Sequence, residues 1–414
     1  MTASIGTPAP AADLTLRIAG PVHGGHCLAR TAEGRVVFVR HGAPGELVRA
    51  RLTDTGKVWR ADAVRILEPS PDRVDVPWRA AGPGGVGAVE LAHLSRPAQL
   101  RWKSEVIVDA LRRIGGLDLP VTMVDPEPGS DGWGTRTRIR LACDADGRAG
   151  MHAHRSDRIV PLESMPLAVA ALARLDVFTR RWPAHAVLTL VAPSVGEPVL
   201  LVDDAPAALE GTSPRPWVTE VVRVAAADLT YRVAAGGFWQ SHRAAPASLA
   251  GAVLAAAHPA GGSLTGARVF DLYSGAGLFS LPLAHAVGPT GAVYAVEGDR
   301  RAAQAARRNG RGLAQLTGRS GDVARVLAKD APERADVVVL DPPRTGAGRH
   351  VMARVVERRP ERIVYVACDP AALARDLAFA AAAGYRADRV VGHDLFPHTH
   401  HVESIAVLRP ASSE

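Results

Sequence analysis

The chain runs to 414 residues (43.5 kDa) with 47% hydrophobic residues and a mean hydropathy of +0.04, a globular composition with room for two or three cored domains. No apolar run approaches the ~20 residues of a membrane helix, and the N-terminus lacks the charged start and apolar core of a secretory signal. Three cysteines (Cys27, Cys143, Cys368) exclude a disulfide framework or a four-thiolate metal site and point to the cytoplasm, while a net charge of +7 permits a polyanionic partner without requiring one.

Residues 1–13, rich in Ala, Pro and Thr, are expected to be disordered. From 14 to 69, short alternating runs separated by glycine turns predict a small β-barrel of the OB type. The order Gly24-Gly25, Gly34 to Val39, Pro44-Gly45-Glu46 and Val48-Arg49-Ala50 resembles a TRAM domain, a barrel that implies RNA binding. Ser70–Gly87, rich in Pro and Gly, marks a boundary. Apolar residues at Leu100, Val106, Ile107, Ala110, Leu111 and Ile114 predict a helix over 96–115, closed by Gly115-Gly116 and available to pack on the catalytic domain. The remainder of a central 70–236 domain reads mostly as strands, with one helix over Pro166–Phe178. There Arg136, Arg138 and Arg140 alternate, so a strand sets them on one face, either as a row for an RNA backbone or as a solvated face.

From 237 to 414 strand–helix units repeat. Strands over 268–272, 292–296, 336–340 and 362–367 alternate with helices over 244–257, 300–311 and 370–383, which is a parallel doubly wound α/β sheet. Two further strands, 389–395 and 402–408, read as an antiparallel ending.

The motifs fall at strand ends, where open α/β sheets place their chemistry. Phe270-Asp271-Leu272-Tyr273-Ser274-Gly275-Ala276-Gly277 is a strand and a glycine turn; Ser280 stands where a dinucleotide fingerprint needs its third glycine, which disfavours NAD. Glu297 ends the next strand, at a spacing that suits ribose hydroxyls, and Asp322 follows the third, either reaching an adenine or capping a helix. The pair of Gly275/Gly277 turn and Glu297 resembles class I S-adenosylmethionine-dependent methyltransferases. Asp341-Pro342-Pro343-Arg344 ends an apolar strand in a stiffened turn, and Cys368 ends the next. His398, His400 and His401 lack the paired second half of a zinc motif, so no metal is expected.

Gln240 in Gly237-Phe238-Trp239-Gln240, the glycine turn, Asp341-Pro342-Pro343-Arg344, Cys368-Asp369-Pro370 and His401-Val402-Glu403 follow the order of the RNA 5-methyluridine methyltransferase family, and the resemblance covers nearly the whole chain. It implies S-adenosylmethionine held by Gln240, Tyr273, Gly275, Gly277, Glu297, Asp322 and Asp341. It also implies catalysis by Cys368 as nucleophile, Glu403 as base, and Asp341 and Arg344 as orienting groups, on a uridine of ribosomal or transfer RNA, by a monomer. Many members bind an iron–sulfur cluster through four cysteines; here those positions read Ala80, Val86, Val89 and Met165, so no cluster is expected. Two rival readings are a methyltransferase acting on cytosine and a non-catalytic RNA-binding protein.

Overall fold

The computed structural model describes residues 13–259 and 262–411, so most of the segment expected to be disordered lies outside the described residues. Two compact units divide the chain. The first takes in residues up to Val106 with His152–Val160 and Pro397–His400, and the second the remainder.

In the first unit, β1 (Leu14–Val22), β2 (His26–Arg30), β3 (Val36–Arg40), β4 (Leu47–Asp54) and β5 (Trp59–Glu68) close a barrel in the order β1-β2-β3-β5-β4. The period-2 pattern decides what it encloses: Leu16, Ile18, Val37, Val39, Val48 and Ala50 all point inward and are buried. Trp102 and Val106, on the first part of α1 (Arg96–Ala110), join the same apolar cluster.

This unit also buries histidines. His26 and His154 stack edge-on at 5.9 Å, and His41 meets His93 at 6.3 Å. Burial first, and then the Arg40 charge, lower the pKa of His26 to about 4; burial and then Arg73 do the same to His93. An unfolded chain therefore takes up protons on these rings that the folded one refuses. Their contribution to stability is complete above the ordinary histidine pKa near 6.5. It is lost as pH falls from there toward about 4. Melting followed by circular dichroism is expected to show stability dropping through that window, with a shallower slope in His26→Gln; equal slopes would refute the assignment.

In the second unit α1 continues into a wider turn, Leu111–Gly115, that ends where Gly116 adopts φ 63°. The helix thus has the extent its periodicity predicts. Next come β6 (Val121–Val124), β7 (Arg138–Cys143), β8 (Ala149–His152), β9 (Ile159–Pro161, mostly of the first unit) and α2 (Ala170–Ala173). The helix expected over Pro166–Phe178 is only this single turn. The backbone of 166–169 is used instead to pair with 134–136: Gly134 N–H donates to Pro166, Arg136 N–H to Leu167, and Val169 N–H to Arg136. Strands β10 (Val187–Val191), β11 (Val199–Val202) and β12 (Ala205–Ala207) extend β7 into an antiparallel sheet, and β13 (Trp217–Val224) with β14 (Ala227–Ala234) forms a hairpin.

The arginine row on β7 is corrected by its middle member. Arg138 is mostly buried, donating to Glu220 at 3.2 Å and to the carbonyls of Ala235 and Gly237 at 3.0 and 3.2 Å. Its Nη1 and Nη2 are engaged inside the protein, and of the three arginines Arg140 alone is fully exposed.

After α3 (Ala245–Ala257) come β15 (Arg268–Leu272), α4 (Ser280–Val287), β16 (Ala292–Glu297), α5 (Arg300–Asn309), β17 (Leu316–Ser320) and α6 (Val323–Lys329). They are followed by β18 (Val337–Leu340), α7 (Gly348–Glu357), β19 (Arg362–Ala367), α8 (Pro370–Ala382), β20 (Tyr385–His393) and β21 (Glu403–Pro410). The sheet order is β17-β16-β15-β18-β19-β21-β20-β6, parallel except for β21, which runs antiparallel to both its neighbours. The eighth strand, β6, comes from outside the 237–414 segment and pairs in parallel with β20. Both faces are buried, which is why the strands read as continuous apolar runs. Val339, Val364 and Val366 lie in one cluster with α3 and α4; Val338, Ile363 and Tyr365 lie in the other with α7 and α8.

Candidate active site

The carboxyl ends of β15, β16, β18 and β19 and the start of β21 lie along one edge of the sheet. Their end residues carry the chemistry. Ala367 pairs with Ser404 in the antiparallel ladder, so one step further brings Cys368 opposite Glu403. Such opposed positions lie roughly 4.5–5.5 Å apart at Cα and face the same side. Beyond Cys368 the chain turns at once: the Asp369 side chain accepts from Ala372 N at 2.8 Å, and Pro370 opens α8. Cys368 is therefore pinned between a strand end and a helix cap, and it is half-buried, whereas Cys27 and Cys143 are buried outright.

Electrostatics tie four groups together. Burial, then the charges of Glu403 and Asp341, push the Cys368 thiol up to about 12, while Arg344 pulls it down. Glu403 is itself held well above the ordinary carboxylate range by burial and then Asp341, again opposed by Arg344, and its Oε2 has no hydrogen-bond partner. Burial and then Glu297 raise Asp341 to about 7. Arg344 is exposed, and its Nη2 lies 3.5 Å from His401 Nε2.

The loop that carries Asp341 and Arg344 is held from α8. Asp376, fully buried there, accepts from Ala347 N (2.7 Å), Gly348 N (3.0 Å) and the Tyr365 hydroxyl (2.6 Å) through Oδ2. Arg375 donates to its Oδ1 and also to the Thr345 carbonyl at 2.8 Å. Gly346 (φ 76°) passes so close that a Cβ would stand 2.6 Å from Asp376 Oδ2.

At the glycine turn, Tyr273, Gly275 and Gly277 take φ of 63°, 56° and 94°. Gly275 N–H donates to Glu297 Oε2 at 2.8 Å, and Glu297 Oε1 accepts from Asp299 N at 2.6 Å, so this carboxylate braces the turn. A Cβ on Gly275 would project into open space, leaving a cradle in which backbone can approach a ligand. Asp322 caps α6 through Arg325 N at 2.9 Å and remains exposed. Its charge helps raise the Tyr273 hydroxyl, after burial, to about 12. Gln240 is buried, next to Trp239, whose ring packs 5.2 Å from Tyr231; the Tyr231 hydroxyl donates to Leu278 just beyond the turn. Cradle, neighbouring carboxylate and buried amide together fit a nucleoside-bearing methyl donor.

Sequence reasoning missed Asp376, Asp271 and His393 as parts of this site. Asp271 lies wholly inside the sheet, raised to about 7 chiefly by burial; the Ser280 hydroxyl donates to one oxygen and the other has no partner. Its one signal was a carboxylate within an otherwise apolar strand. His393, buried with Nδ1 unpartnered, sits opposite Glu403 on β20. Only three-dimensional pairing reveals it. Two of the histidines expected to bind no metal have partners of their own: Gln99 Nε2 lies 3.2 Å from His398 Nδ1, and His400 Nδ1 lies 3.6 Å from Glu90. Of the four apolar positions Ala80, Val86, Val89 and Met165, Val86 and Val89 are buried in the first unit and Met165 in the second.

Known proteins resemble this chain in sequence and in fold. Residues 331–410 match the family described as tRNA (Uracil-5-)-methyltransferase, and residues 13–59 match the TRAM domain. An uncharacterized RNA methyltransferase of Streptomyces coelicolor is 40% identical over 95% of this chain and 92% of its own length. The 23S rRNA (uracil(1939)-C(5))-methyltransferase of Halomonas elongata is 33% identical over 96% of this chain and 90% of its own. In fold, the chain is similar to the Pyrococcus abyssi tRNA (uracil-54, C5)-methyltransferase solved with S-adenosyl-L-homocysteine, with a TM-score of 0.71 and 21% identity over 95% of this chain and 100% of that one. The full-length matches and the residues gathered at the sheet edge make this chain a member of the S-adenosylmethionine-dependent RNA uracil-C5 methyltransferase family.

Proposed function

We propose that the chain methylates carbon 5 of a uridine in ribosomal RNA through a covalent adduct on Cys368. The observation that carries this reading is the cross-strand opposition of Cys368 and Glu403, with Asp341 and Arg344 acting electrostatically on both. Carbon 5 of uracil is a weak nucleophile. Addition of the Cys368 thiolate to carbon 6 turns the ring into an enolate whose carbon 5 is nucleophilic. Arg344 and the amino terminus of α8 favour the thiolate and offset the neighbouring carboxylates. S-adenosylmethionine, when bound, supplies the methyl group on a sulfonium centre. Gln240, Tyr273, Gly275, Gly277, Glu297 and Asp322 hold it, and Asp341 faces both it and the base. Arg344 steadies charge on the uracil carbonyl. Glu403 then takes the proton from carbon 5, and the thiolate leaves. A carboxyl held high is a stronger base once ionised, which suits that step.

The target base must leave its stack to enter such a pocket, and the barrel grips the surrounding RNA. The relative named for 23S rRNA favours ribosomal over transfer RNA. All the groups named belong to one chain, which supports action as a monomer, and three unbridged cysteines support the cytoplasm. The test incubates purified protein with radiolabelled S-adenosylmethionine and RNA from a strain lacking the enzyme. Label is expected in 5-methyluridine of ribosomal RNA and absent with Cys368→Ala. Label in 5-methylcytidine or in transfer RNA would overturn the substrate, and no label in any RNA would overturn the activity.

A further inference from the structure

On the sheet face that carries Cys368 and Glu403, a groove of about 650 Å³ runs over β21, β20 and β6 beside α3. Its floor is apolar, built from Val124, Val391, Ile405 and Val407, and Val124 is 38% exposed. His393 lines it toward the catalytic edge, and Arg362, Arg389 and Arg409 line the opposite end.

That end holds like charges in register. One step before the pair Ile363–Leu408, Arg362 stands opposite Arg409, and Arg409 is paired on its other side with Arg386. Like charges opposed across strands destabilise a sheet. Asp388 pairs with Arg409 at 3.5 Å and is 74% exposed, so it screens the row weakly. Arg362 reaches back to the Ala256 carbonyl at 3.4 Å, a long contact. Burial, and then the Arg409 charge, lower the Arg362 pKa against the opposing pull of Glu361. An anion laid across the row would relieve it.

We propose that this groove binds the RNA strand flanking the target uridine, with phosphates on Arg362, Arg389 and Arg409 and riboses and bases over the valine floor. The proposal takes RNA as partner from the preceding reading and adds the surface. The stretch from Arg362 to Cys368 spans roughly 20 Å of strand, the length of a few nucleotides. A basic rim that tracks the phosphates is a feature that holds single strands without reading sequence, and the aliphatic floor offers van der Waals contact to the riboses and bases.

The test is fluorescence anisotropy of a labelled oligouridine of about twelve nucleotides against full-length Cys368→Ala protein over a range of salt concentrations. No methyl donor is added, so failure of the covalent mechanism leaves the measurement intact. Adding Arg389→Gln and Arg409→Gln together is expected to weaken binding about tenfold and to reduce the salt slope by about 1.4, near 0.7 for each phosphate no longer neutralised. The exposed pair Arg307→Gln and Arg308→Gln on α5 is expected to do neither. Unchanged affinity and slope, or an equal weakening by the α5 pair, would overturn the proposal. So would polyglutamate binding as tightly as oligouridine, which would assign the surface to an acidic protein.

Discussion

Glu403→Ala protein, incubated with RNA and S-adenosylmethionine, is expected to accumulate an RNA–protein adduct that survives denaturing electrophoresis, while turnover falls about a thousandfold. The expectation follows from the order of the steps. Attack by Cys368 and methyl transfer need no proton acceptor at carbon 5; expulsion of the thiolate does. With the base removed, the methylated ring stays attached to the sulfur. Glu403 also pushes the thiol pKa upward, so its loss eases formation of the adduct while blocking its breakdown. Adding Cys368→Ala should abolish the band. A gel without adduct, together with intact methylation, would sink the assignment of Glu403 as base.

The second large effect is expected at Asp376, which touches neither reacting group. It accepts five hydrogen bonds, two from loop amides after Arg344, one from Tyr365 and two from Arg375. Asp376→Ala releases the loop and leaves the Ala347 and Gly348 amides and the Tyr365 hydroxyl without that acceptor, at a cost of ~3 kcal/mol of stability. Turnover should fall about a hundredfold, because displacing Asp341 and Arg344 by an ångström suffices for that, with the KM for RNA nearly unchanged. Gly346→Ala reaches the same end by another route, driving a methyl against the same carboxylate. A purely structural role would lower the melting temperature of both variants and leave turnover below that temperature intact. Normal turnover in both would refute the positioning role.

Much of this was legible in the chain itself, because strand ends and glycine turns are local. The barrel strands, the helix ending at Gly116, and Cys368 at a strand terminus all follow from periodicity and turn chemistry over a few residues. What escaped depends on pairing at a distance. Val121–Val124 is four residues long, and nothing in them names β20 as their neighbour. Arg138 reads as a phosphate ligand until Glu220, far along the chain, claims it. The helix expected from Pro166 shrinks to a turn because Gly134 to Arg136 take its backbone groups. Asp376 sits in a run that reads as an ordinary helix, Ala371-Ala372-Leu373-Ala374-Arg375-Asp376, and gains its meaning only from the loop it faces. Kinship with known proteins supplies the family, and the ladder register brings Cys368 opposite Glu403 although the two lie far apart in sequence.

That register also constrains how the chain can vary. The separation of Cys368 and Glu403 is set by a hydrogen-bonded ladder and not by the length of α8, β20 and their connections. The turns beyond α8 can therefore gain or lose residues across descendants without parting Glu403 from Cys368. A slip of β21 by one residue, however, turns Glu403 to the opposite face and ends it at once. Evolution around this site is free in length and bound in parity.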